Sequence, residues 1–184
     1  MKTETYKKII SKGFISDELE LEKALIIDRK LRLLSKDNAE LKEVRTQLRQ
    51  IIKEYEKVNW SPDSEISDEK IKESDTAEYL AEQERLFVLK RKEIIKERLS
   101  SFNLNQQDLG ALLGHNKTYM SELMNGINPF TLKDLIIIHR LFKIKLEHLI
   151  PTTIPQKERG RIKLSIQKIN KPKLKFDKKD LEFA

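Results

Sequence analysis

The run from Leu104 to Ile150 constrains this chain more than any other stretch. It opens Leu-Asn-Gln-Gln-Asp-Leu-Gly-Ala-Leu-Leu-Gly and continues through Ser121, Asn125-Gly126 and Pro129. Asn105 is a strong N-cap for a helix running to Leu113, and Gly114 supplies its stop. Asn116 caps the next helix, which ends at Asn125-Gly126. Thr131 caps a third, Leu132 to about Phe142, and a short turn from Lys145 to Ile150 halts before Pro151. Short helices on either side of a tight turn have the spacing of a helix-turn-helix. Residues 85–102, rich in Leu, Ile and basic side chains, predict a preceding helix, with Phe102 and Leu104 closing the core against the next one.

Upstream, Ala24, Ile27, Leu31 and Leu34 recur at steps of three and four, which predicts a helix over 17–35 with one apolar face. Ser35-Lys36-Asp37-Asn38 is a polar break. Over 39–58, Leu41, Val44, Leu48, Ile51, Tyr55 and Val58 alternate three and four without a miss, a seam of coiled-coil type. The two helices predict an antiparallel hairpin over residues 1–60, with Trp60 plugging its open end. So small a hairpin buries little alone. It needs the helix-turn-helix domain, a second copy or a different protein against it.

Residues 61–84 have weak periodicity and read as an acidic linker with some helix from Thr76 to Leu86. After Pro155 the pattern changes. Arg161 to Ile169 alternates apolar and polar residues, with Ile162, Leu164 and Ile166 on one face of a strand, and Asn170 to Phe176 is basic and broken by Pro172. A lone strand must add to another sheet edge, pair with its symmetry mate or order only on binding. The expected fold is therefore mainly α. It has a hairpin (1–60), a linker (61–84), a five-helix domain (85–150) and a basic strand-forming tail (151–184).

Charge follows this division. The formal net charge is +7. Residues 61–84 hold nine acidic and two basic side chains, whereas residues 85–150 hold eleven basic and six acidic, and residues 151–184 ten and four. A basic surface favours phosphate backbones through counterion release, and is equally what lysine-rich solubility produces. With no cysteine, disulfides, thiolate metal sites and cysteine nucleophiles are excluded. Apolar runs reach four residues, far short of a membrane span, and the first residues lack the apolar core of a secretory signal. A cytoplasmic protein with no membrane partner is expected.

Leu104, Gln106, Leu109, Leu113, Gly114, Ser121, Asn125, Gly126 and Pro129 stand where the XRE family of helix-turn-helix proteins expects them, so this stretch resembles the fold of the lambda and 434 repressors. Gly110 takes the usual alanine place, the loop after Gly126 is one residue longer, and Lys143 stands where a helix-ending glycine is common. A helical region, a Pro-containing linker and then this module is also an order similar to HigA-type antitoxins of toxin–antitoxin operons. That resemblance implies a dimeric autorepressor on double-stranded operator DNA that also binds and neutralises a small basic, mRNA-cleaving toxin. The alternative is an ordinary XRE-type regulator without a toxin. A nuclease inhibitor whose motif no longer binds DNA is a third reading.

In the resembling family the second helix of the motif enters the major groove. The candidate DNA-contacting residues are then Gln106, His115, Asn116, Lys117, Thr118, Tyr119, Glu122 and Asn125. Asn116 pairs with adenine, Lys117 reaches guanine or phosphate, Tyr119 meets a thymine methyl or a phosphate, and Gln106 holds a phosphate while bracing the recognition helix. The helix period turns Met120 and Leu123 inward. Ser121 reads as packing rather than as a nucleophile. Three scattered histidines make no metal site, and Asp68-Glu69 lacks an apolar pocket to raise a pKa. Neither cofactor nor metal nor enzymatic activity is expected.

Overall fold

The computed structural model describes residues 6–36, 38–61, 66–151, 154, 156–171 and 173–174. Its helices are α1 (Tyr6–Lys12), α2 (Glu18–Leu34), α3 (Ala39–Asn59), α4 (Asp68–Ser101), α5 (Gln106–Leu113), α6 (Lys117–Asn125), α7 (Leu132–Phe142) and α8 (Gln156–Ile169), with a 3₁₀ turn at Leu146–His148. The fold is mainly α, and the described residues contain no strand.

α2 and α3 form the expected antiparallel hairpin. Asp17 and Asn38 cap them, each accepting a backbone N–H three residues on. The register is fixed by Arg45 Nε on Asp28 (2.9 Å) near one end and Tyr55 Oη on the Glu18 carboxylate (2.9 Å) at the other. Trp60 closes that second end, its Nε1 donating to both Glu18 oxygens at 3.2 Å. The seam stops there. Val58 is 76% exposed, a turn beyond the last residue that α2 offers it.

The apolar surface left on the hairpin is covered within the chain. α2 packs along the middle of α4 in the same direction, with Lys23 paired to Glu84 at 2.8 Å and Ala24, Ala77 and Ala81 all buried. The stretch read as an acidic linker is therefore helix from Asp68 onward; residues 62–65 lie outside the described residues. Its periodicity looked weak because small alanines, not large apolar residues, mark the face that α2 approaches. A short helix missed in the sequence, α1, seals the hairpin with Tyr6 and Ile9.

The second core joins the C-terminal half of α4 to α5, α6 and α7. Ile95, Leu99, Leu109, Leu113, Met120, Leu123, Ile138 and Leu149 are buried together. Leu104 packs against this core, whereas Phe102 only half-closes it, edge-on to Phe142 at 5.8 Å and otherwise exposed. The predicted caps hold: Asn105 and Thr131 form capping boxes with Asp108 and Asp134, and Lys143 takes the left-handed conformation that glycine usually supplies.

The strand expected over residues 161–169 is instead part of helix α8. Ile162 and Ile166 are two residues of an alternating strand and equally an i, i+4 pair on one helix face. A helix meets its backbone hydrogen bonds internally, which an unpaired strand cannot. The remaining basic tail after Leu174 lies outside the described residues.

Candidate nucleic-acid interface

Three local features set α6. Gly114 ends α5 at φ 76°, and the His115 amide returns to the Gly110 carbonyl at 2.8 Å. Gly110 allows the close crossing: a Cβ there would stand 2.9 Å from the His115 carbonyl oxygen and 3.6 Å from Met120. Asn116 then caps α6, its side-chain oxygen accepting from the Tyr119 amide at 2.8 Å.

Met120, Leu123 and Met124 turn into the core, which fixes the rotation of α6 about its axis. The opposite face carries Lys117 and Thr118, both exposed, then Ser121 and Asn125, both half-buried. Lys117, Ser121 and Asn125 follow at i, i+4, i+8, a single stripe. Lys117 and Thr118 make no hydrogen bond or ion pair among the described residues, so their donors are available. Asn125 is committed at both ends: its Nδ2 donates to the Ser121 carbonyl at 2.8 Å, and its Oδ1 accepts from Lys92 Nζ of α4 at 2.6 Å. Gln106, at the first turn of α5, is half-buried, and its side chain makes no hydrogen bond among the described residues.

Three candidates are placed differently. His115 is a latch between the turn and α7, its Nε2 lying 3.1 Å from Asp134 and its ring meeting Tyr119 edge-on at 5.0 Å. Tyr119 is accordingly half-buried, with one side on the core. Glu122 is not on the exposed face at all; it is 8% exposed and accepts from Asn128 Nδ2. One residue past Ser121 the helix has rotated by about 100°, and α1 covers that side. Burial pushes the Glu122 carboxyl upward, Lys7 and Asn128 draw it back, and Glu40 adds to the rise. Tyr6 belongs to the same group, its phenol pushed up to about 12, chiefly by burial and then by Glu122.

The only carboxylate of α6 is thus withdrawn, leaving its exposed stripe with one cation, two hydroxyls and amides, bordered by Lys92. Sequence reasoning missed Ser121 and Lys92. The i+4 step from Lys117 could have found the first; the second depends on how α4 crosses α6.

Among the described residues no three acidic or histidine side chains are arranged to hold a metal ion, and no helix is long and apolar enough to cross a membrane. Comparison with family models, curated proteins and solved structures returns no match.

Proposed function

We propose that this chain is a sequence-specific DNA-binding protein that reads the major groove with α6. The observation that carries this reading is the α6 stripe itself: a carboxylate-free polar face, set rigidly by the turn from Gly110 to Gly114, with a lysine at each end. Phosphate contacts position such a helix and side chains at its first turns select bases.

The geometry divides the work among the candidates. The Asn116 oxygen already accepts the Tyr119 amide, which holds this side chain against the start of α6 and leaves its N–H donors without a partner among the described residues. Base reading falls to Lys117, Thr118 and the Ser121 hydroxyl. Gln106 and Lys92 face the backbone on either side. A helix of nine residues reaches too few base pairs for useful selectivity, so a two-fold dimer on a palindromic site completes the reading. The test is selection of duplexes from a random pool by the full chain. One recurring palindrome supports the reading, and an unselected pool removes it.

The antitoxin reading adds a small basic toxin as second partner. It is favoured by the outer face of α4, where Ile71 and Tyr79 lie exposed with Asp68, Asp75 and Glu78. Apolar anchors ringed by carboxylates suit a cationic protein. The hairpin seam offers less for this role, since α2 and α1 already pack on most of it. Co-purification of the native complex tests the reading. A small basic protein retained by the chain and released by Ile71→Asp supports it. A chain that purifies alone yet binds its selected DNA is the ordinary regulator.

A further inference from the structure

Lys30 of α2 is half-buried where α2, α4 and the end of α6 meet, and it faces Arg85, Arg91 and Lys92 of α4. Three carboxylates on these two helices are already paired. Glu82 holds Arg85 at 2.6 Å, Glu84 holds Lys23 at 2.8 Å, and Asp28 holds Arg45 at 2.9 Å. Arg91 is buried in the fold, donating to the Leu149 carbonyl at 3.2 Å and lying over the Phe87 and Phe130 rings. Two ammonium groups remain without a carboxylate partner among the described residues. Lys92 has only the Asn125 amide oxygen, and Lys30 has no hydrogen bond or ion pair among the described residues.

Gathering cations in partial burial without a counter-charge is unfavourable in the isolated chain. Burial first, then Arg85, Arg91 and Lys92, hold the Lys30 ammonium down to about 8. Such an arrangement is complementary to a polyanion. Its place beside Asn125, the last residue of the α6 stripe, decides which.

We infer that Lys30 and Lys92 form a phosphate site in which the N-terminal hairpin grips the DNA backbone next to the groove that α6 enters. This rests on the DNA-binding reading and extends it, because it makes the hairpin part of the footprint. It assigns Lys92 a bridging role, holding Asn125 with one N–H and presenting the others to phosphate oxygen.

The test is the salt dependence of duplex affinity, measured on the full chain and on Lys30→Met, Lys92→Met and Lys30→Arg, with Lys53→Met on the far side of α3 as control. Removing one lysine–phosphate pair flattens the slope of log K against log salt by about 0.9. That flattening is expected for Lys30→Met and Lys92→Met, with the slope kept in Lys30→Arg and in the control. Lys30→Met should also melt at or above the unsubstituted temperature. An unchanged slope in Lys30→Met overturns the inference while leaving DNA binding by α6 intact, and a lower melting temperature overturns it by showing that the cation serves packing. If the unsubstituted chain binds no duplex, the DNA reading falls, and melting with inorganic pyrophosphate decides the rest. A rise seen in the unsubstituted chain and absent in Lys30→Met retains a site for free phosphate. No rise, or an equal rise in both, overturns it.

Discussion

At the scale of residues, single side chains separate structural from binding roles. Asn116 caps α6 with its oxygen and offers its amide hydrogens outward. Asn116→Asp keeps the cap, since the two residues cap equally well, so melting should shift by less than about 0.5 kcal/mol. On the proposed reading the new carboxylate would stand against phosphates, so DNA affinity should fall. Loss of stability in thermal melting would show that the amide group does more than cap. Gly110 is a second case. Glycine to alanine inside a helix ordinarily gains about 1 kcal/mol. Here the added Cβ meets a backbone oxygen at 2.9 Å, so Gly110→Ala should destabilise by about 1–3 kcal/mol in denaturant unfolding. Lys30 gives a pH signature. Its folded pKa of about 8 lies below the unfolded value, so between the two the unfolded chain binds more protons and stability rises with pH. Melting followed from pH 8 to 10 should show this rise in the unsubstituted chain and lose it in Lys30→Met.

At the scale of elements, what could be read in the sequence was what local chemistry decides. Asn105, Asn116 and Thr131 announce helix starts because capping involves only the next three residues. Met120 and Leu123 were readable as core because α6 has one apolar side. The extent of α4 was not, since its first turns are helical against α2 through Ala77 and Ala81. Glu122 was misplaced for a similar reason: only α1, which periodicity did not reveal, explains why that side of α6 is covered. Val58 extends a seam that has no partner left. Leu48→Ala on the same seam should cost about 2–5 kcal/mol, whereas Val58→Lys should lie within about 0.5 kcal/mol of the unsubstituted chain. Equal losses in urea unfolding would place Val58 against a surface.

At the scale of the whole molecule, α4 is the spine. Its 34 residues extend about 50 Å, packing on α2 of the hairpin and contributing Ile95 and Leu99 to the second core. Ile127, just after α6, packs into the hairpin core, so α6 is anchored from both sides. The two cores should therefore melt as one. Leu48→Ala in the first and Leu123→Ala in the second should each lower a single calorimetric transition, and two separated transitions would contradict a shared spine. The same anchoring keeps the backbone at Lys117 and Thr118 in one orientation. Because both are free of internal bonds, their removal tests function without disturbing the fold. The decisive measurement is gel-shift affinity of the full chain and of Lys117→Ala/Thr118→Ala for a duplex selected from a random pool and for a scrambled duplex. The expected result is preference for the selected duplex, reduced about tenfold or more in the double variant at unchanged helical content. Equal affinity for both duplexes, or a double variant that binds like the unsubstituted chain, would contradict DNA recognition by α6.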